Sequence, residues 1–158
     1  MLEKKKITLV PSYGPEMRGG TANCTVILKD GEIYSPVVAH PDILIALNLP
    51  SLERFEASVK TKGMIFYNAT FASPQKKRKD VSYFGVPAND LANEAGSVKA
   101  ANVTLLGALI EETHLVKEET LMEKVLPKVF SNKKAALLEL NKTALQKGRD
   151  YQKNKTAV

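Results

Sequence analysis

The chain has no tryptophan, one cysteine and two histidines in 158 residues. The single thiol, Cys24, forms no internal disulfide and cannot by itself hold an iron–sulfur cluster, which takes about four thiolates. His40 and His114 are far apart in sequence, and neither has a cysteine or second histidine at ligand spacing, so neither reads as catalytic or as a metal ligand. No apolar run approaches the roughly 18 residues of a membrane span. The basic stretch Glu3 to Lys6 is followed by too short an apolar run for a signal peptide, so a cytoplasmic protein without a membrane segment is expected. No GxGxxG or Walker turn follows any strand-like run, which disfavours a free-standing nucleotide-binding module. Asn-x-Thr triplets at Asn23, Asn68, Asn102, Asn141 and Asn154 would accept sugar only in a secreted protein and are read as coincidences.

What is present is an ordinary globular composition, 44% hydrophobic and 25% charged, long enough for one good core and without a visible linker, so a single domain over residues 1–158 is expected. The net charge of +6 raises nucleic acid as a partner. Much of the excess lies in Lys4–Lys6, in Lys76-Lys77-Arg78-Lys79 and in a lysine-rich tail. The tail has a helical pattern, with Ala136, Leu137, Leu140, Ala144 and Leu145 on an apolar stripe and cations opposite, as on any solvated amphipathic helix. The run Gln75 to Asp80 has no interleaved aromatics and no reader motif, so it is a solvated loop or an electrostatic docking patch rather than a nucleic-acid site.

The richest stretch is ITLVPSYGPEMRGGTANCTV, Ile7 to Val26. Ile7 to Val10 reads as a strand covered on both faces, ended by Pro11, which has no amide hydrogen for a ladder. Three glycines and a second proline between Ser12 and Gly20 make a loop, and Thr21 to Leu28 alternates as a half-buried strand with Cys24 as a buried, unreactive thiol. Arg18, Gly19, Gly20 and Thr21 offer a guanidinium fork, two unhindered amides and a hydroxyl, which suits a phosphate or carboxylate, with Glu16 able to orient Arg18. The alternative, in which the glycines merely turn the chain and Arg18 lies in solvent, fits the spacing equally well.

Beyond it, Asp30-Gly31 is a hairpin signal joining Val26–Lys29 to Glu32–Tyr34. Pro41 to Leu47 is expected as a helix opened by proline, followed by a second helix capped by Ser51 and running to about Val59. Gly63 to Asn68 and Val81 to Val86 read as strands, Asn89-Asp90 opens a short helix, and Lys99 to Thr113 is a helix rich in small residues. Thr120 to Phe130, interrupted by Pro127, and Asn132 to about Gln152 complete a helical end. The expected fold is α/β, a three-layer α/β/α sandwich with a mixed β-sheet.

The run PSYGPEMRGGTANCTV resembles the signature of the γ subunit, or γ domain, of the 2-oxoacid:ferredoxin oxidoreductases. Gly85-Val86-Pro87-Ala88 and the stretch Ala95 to Leu109 resemble that family's later block, and the likeness runs from about Ile7 to about Phe130. The family normally opens with a strand, a GxGGQG turn and a helix. This chain contains no such motif, and Met1 to Lys6 resembles the tail of that helix. The expectation is that its first residue is not the ancestral start, a natural truncation being the alternative, and no contact belonging to the absent turn carries over.

The resemblance implies a multi-subunit enzyme that oxidatively decarboxylates a 2-oxoacid, forms an acyl-CoA and passes electrons to ferredoxin. It implies thiamine diphosphate and four-iron four-sulfur (4Fe–4S) clusters on the α, β and ferredoxin-type δ partner subunits, none of them bound by this chain alone. Arg18 to Thr21 are then the candidates for contact with coenzyme A or the subunit junction, with no catalytic residue and no metal ligand assigned. A non-catalytic assembly subunit and an independent phosphate-binding module are the alternatives. The PSYGPEMRGG block leans towards 2-oxoglutarate or branched-chain substrates over pyruvate.

Overall fold

The computed structural model describes residues 3, 5–13, 22–130 and 135–156. It divides into two compact units, Met1–Pro41 and Asp42–Val158.

In the first unit, β1 (Lys6–Tyr13) and β2 (Ala22–Lys29) form an antiparallel two-stranded sheet in register from Lys6 opposite Lys29 to Tyr13 opposite Ala22. The strand does not stop at Pro11, which lies within β1 opposite Cys24. A missing amide hydrogen is tolerated at the free edge of a strand, and among the described residues β1 pairs only with β2. Nor is β1 covered on both faces, since Ile7 and Leu9 are 47% and 63% exposed. The alternation of β2 holds, but Cys24 falls on its exposed side with Ala22 and Val26, so the thiol is not buried. Residues 32–38 form no strand, and the partner of β2 is β1 rather than a segment beyond Asp30-Gly31.

The second unit is built on a parallel sheet in the order β3 (Ile43–Ala46), β4 (Met64–Asn68), β5 (Ser82–Val86). Its central strand, MIFYN, is apolar on both faces, as a strand covered on both sides must be. Phe66 points to one side, where it stacks on Phe84 with ring centroids 4.7 Å apart and joins Val86, Leu105, Ala108 and Leu145. Ile65 and Tyr67 point to the other and join Leu52 and Val59. Helices therefore cover both faces, giving three α/β/α layers, and parallel and antiparallel strands occur in two separate sheets.

The expected helix at Pro41 to Leu47 is instead β3. Four apolar residues pair in parallel with β4, Ile43 opposite Met64 and Ala46 opposite Tyr67. The helix that follows, α1 (Leu49–Phe55), is capped by Asn48, whose Oδ1 accepts from the Ser51 amide at 2.9 Å, so Ser51 lies inside the first turn and does not cap it. A 3-10 turn, Glu56–Ser58, completes this side. On the other side lie α2 (Ala88–Glu94), α3 (Ala101–Thr113) and α5 (Ala135–Thr156). Between the last two, a π-helical segment, Thr120–Val125, runs into α4 (Leu126–Phe130). That irregular turn sits immediately ahead of Pro127, the interruption the proline demands.

The buried side of α5 carries Asn141, Ala144, Leu145, Gly148 and Gln152, while Ala136 is exposed. Its cations are largely engaged: Lys147 pairs with Glu94 at 2.7 Å, Lys142 with Glu139 at 3.1 Å, and Arg149 with Glu111 at 2.7 Å and with Glu118. Among the described residues no helix is long and apolar enough to cross a membrane.

Candidate functional site

Arg18, Gly19, Gly20 and Thr21 lie outside the described residues. What is described is their frame. The last strand pair before them is Tyr13 opposite Ala22, so residues 14–21 join directly paired ends of an antiparallel ribbon. The rule that ligands gather beyond the carboxyl ends of parallel strands therefore applies to β3, β4 and β5 and not to this connection.

At those carboxyl ends the structure brings together residues that sequence reasoning passed over. Asn68, the last residue of β4, is 2% exposed and uses its whole amide. Its Oδ1 accepts from the amides of Thr70 at 3.3 Å and Ala88 at 3.1 Å. Its Nδ2 donates to the Leu47 carbonyl at 3.4 Å and to Asn89 Oδ1 at 2.8 Å. One side chain thus ties the segments leaving β3, β4 and β5 into a fixed rim. A buried amide with all its groups satisfied specifies one arrangement of its neighbours.

Around that node, the Thr70 hydroxyl reaches Asp90 Oδ2 at 3.2 Å, and Phe71 and Leu47 stand 62% and 45% exposed. The rim therefore presents hydroxyl, amide and carboxylate groups beside exposed apolar surface. A signal for it was present in the sequence: ILIALN, MIFYN and FGVPAN each end an apolar run in asparagine, at Asn48, Asn68 and Asn89. From the sequence Asn68 reads as the end of a strand and as part of a sugar-acceptor triplet, with no functional role attached.

The opposite, amino-terminal edge is pinned by Arg78. Its NH1 donates to the carbonyls of Glu56 and Val59, each at 2.9 Å, and its Nε and NH2 grip both oxygens of Asp80 at 3.0 and 2.6 Å. This hydrogen bond to Arg78, with another from Thr61, holds the Asp80 carboxyl down at about 2, and the same pair raises the arginine. The Tyr83 hydroxyl binds Glu56, and burial together with that carboxylate pushes the phenol up. Gln75 to Asp80 is thus anchored to the layer of α1 by Arg78 rather than merely solvated.

Tyr67 lies over Gly85, the neighbouring residue on β5, where any Cβ would collide with the phenol ring, and burial raises its hydroxyl pKa. One cysteine in the chain does not fit an iron–sulfur cluster, and no group of three or more His, Cys, Asp or Glu side chains is placed to hold a metal among the described residues.

A parallel sheet between helix layers, with a polar rim at the carboxyl ends of its strands, defines a three-layer α/β chain. The sequence model of the pyruvate ferredoxin/flavodoxin oxidoreductase family matches residues 1–151, and the chain belongs to that family. It is 34% identical over 149 residues to the ketoisovalerate oxidoreductase subunit VorA of Methanothermobacter marburgensis, a match covering 94% of this chain and 31% of the relative. It is 30% identical over 131 residues to the 2-oxoglutarate synthase subunit KorC of Methanocaldococcus jannaschii, covering 82% of this chain and 70% of that one.

Among solved structures, it resembles the 2-oxoglutarate:ferredoxin oxidoreductase of Magnetococcus marinus, which holds 2-oxoglutarate, coenzyme A and succinyl-CoA. The TM-score is 0.84 at 25% identity, over 95% of this chain and 26% of that one. It also resembles the γ subunit of a keto/oxoacid ferredoxin oxidoreductase from Geobacter sulfurreducens, with a TM-score of 0.76 at 26% identity over 95% and 82% of the two chains. The chain spans about a third of the ketoisovalerate relatives it matches.

Proposed function

We propose that the chain is the γ-type domain of a multi-subunit 2-oxoacid:ferredoxin oxidoreductase, acting as one unit over residues 1–158. The assembled enzyme would oxidise and decarboxylate a 2-oxoacid, with 2-oxoglutarate or a branched-chain acid favoured, capture the acyl group on coenzyme A and pass the electrons to ferredoxin. The observation that carries this reading is the family match along nearly the whole chain, residues 1–151.

Thiamine diphosphate and the 4Fe–4S clusters would reside on α, β and δ partner subunits, since one cysteine cannot supply a cluster here. This chain's contribution would be a binding surface. Arg18 to Thr21 would contact coenzyme A or the subunit junction, a guanidinium fork and glycine amides being suited to its phosphates. The relative from Magnetococcus marinus, solved with coenzyme A bound, supports the choice of ligand. The reading also carries a cytoplasmic location and no role in nucleic-acid or membrane binding.

The test is depletion and restoration. Partner subunits purified without this chain should fail to couple 2-oxoacid oxidation to reduction of a low-potential dye in the presence of coenzyme A, and adding the chain should restore it. Full coenzyme A-dependent activity without the chain would reject the reading.

A further inference from the structure

The amino-terminal edge of the parallel sheet holds an excess of positive charge on a rigid frame. The segments preceding β4 and β5 are tied together there, the Lys62 amide donating to the Asp80 carbonyl at 2.6 Å. Arg78 fastens the second segment to the 3-10 turn after α1 through the carbonyls of Glu56 and Val59, and its own amide donates to the Tyr83 hydroxyl at 3.0 Å.

Each carboxylate in this network is engaged: Asp42 by Lys60 at 2.7 Å, Asp80 by Arg78 and Thr61, and Glu56 by Tyr83. Lys62, Lys76, Lys77 and Lys79 are exposed and, among the described residues, have no carboxylate partner. Lys77 is held with its ammonium 5.7 Å from the centroid of the Tyr83 ring. On α5, by contrast, Lys142, Lys147 and Arg149 face their own carboxylates. Four exposed lysines without a carboxylate partner are therefore gathered within two neighbouring segments at one edge, whereas Lys99, Lys124 and Lys153 lie singly on other elements. The edge's backbone is already ordered, so little entropy is lost when a partner docks.

We propose that this edge, formed by Lys62, Lys76, Lys77 and Lys79, is a docking surface for a carboxylate-rich face of a partner protein. A phosphate ligand is disfavoured because the one guanidinium of the segment, on Arg78, is already committed to both oxygens of Asp80 and to main-chain carbonyls. Nucleic acid is disfavoured because residues 75–80 contain no aromatic side chain on which a base could stack. Compact ammonium groups at a rim instead steer an oppositely charged protein surface and set its orientation.

The experiment uses the full chain at near-physiological salt with a synthetic oligoglutamate peptide. Carbodiimide coupling followed by peptide mapping reads which amines lie against carboxylates. We expect coupling concentrated at Lys62, Lys76, Lys77 and Lys79, and coupling spread evenly along α5 would overturn the proposal. In parallel, the K76E/K77E/K79E variant should bind the peptide about tenfold more weakly, while K99E/K124E/K153E, with the same change in net charge, should stay within about twofold of the parent. Equal loss in both would reduce the effect to net charge and reject the surface. Tighter, edge-dependent binding of oligothymidylate than of oligoglutamate would replace the protein partner with nucleic acid.

Discussion

Gly107 of α3 and Gly148 of α5 are reciprocal: a Cβ on Gly107 would strike the Leu145 carbonyl oxygen, and one on Gly148 would strike the carbonyl oxygen of Thr104. The two helices cross backbone to backbone, and the obstacle at each position is a main-chain atom that cannot rotate away. Ala in place of Gly should gain about 1 kcal/mol of helix propensity. Overpacking against backbone costs about 1–3 kcal/mol. Gly107→Ala or Gly148→Ala should therefore lower stability in urea denaturation. Gly31→Ala, where a Cβ meets only the Lys29 side chain at 3.8 Å, should change it by less than about 0.5 kcal/mol. Equal effects at all three positions would remove the close crossing as the cause.

Asn68 should be the most sensitive polar residue of the sheet. Asn68→Ala strands the buried amide of Ala88 and frees the segments after β3 and β5. A loss of about 2–3 kcal/mol is expected from the unsatisfied groups. Asn68→Asp should not rescue it, because a carboxylate cannot donate to the Leu47 carbonyl or to Asn89 Oδ1. Hydrogen exchange should report the loosening first at Ala88 and Thr70, and unchanged protection there would contradict the role given to Asn68.

The Asp80 carboxyl titrates at about 2, below its ordinary 3.8, because Arg78 and Thr61 donate to the charged form. A group depressed on folding stabilises above its unfolded pKa, and that contribution fades as pH falls through the folded value. The stability gap between the parent and Asp80→Asn should be constant in neutral solution, shrink between pH 3.8 and about 2, and narrow in high salt because the pair is exposed. A gap persisting undiminished in acid would assign the effect to shape rather than charge. Arg78→Lys should not substitute for Arg78, since a single ammonium cannot reach Asp80 and two carbonyls together.

Arg18 separates the two roles proposed for the 14–21 connection. With the complex intact, Arg18→Ala should raise the KM for coenzyme A at least several-fold while leaving that for the 2-oxoacid near its original value. If instead the chain no longer assembles, as read by size-exclusion chromatography, the loop is an interface lock and touches no coenzyme.

Legibility in the sequence followed the length and uniqueness of each pattern. Met64–Asn68 and Ser82–Val86 were readable because apolar β-rich runs of strand length stood between turn residues, and α3 because its small and apolar residues repeat over thirteen positions. Ile43–Ala46 misled because four apolar residues have no measurable period, and a preceding proline suits a helix as well as a loop. In β2 the alternation was correct but the choice of face was not, which is why Cys24 emerged exposed: nothing local says which side of a ribbon is covered. The rim around Asn68 left only a faint trace, an asparagine closing each of three apolar runs, because its members lie about twenty residues apart and meet only once three strands run parallel. Arg78 looked like one cation in a run of four, and only folding supplied the carbonyls that set it apart.

Co-purification from the native host tests most directly whether this chain works inside a 2-oxoacid oxidoreductase. A chain tagged at Val158 should elute with partners containing thiamine diphosphate and iron–sulfur clusters, and the eluate should reduce a low-potential dye only when a 2-oxoacid and coenzyme A are both present. A chain that elutes alone and inactive, under conditions where the native complex survives, would contradict it.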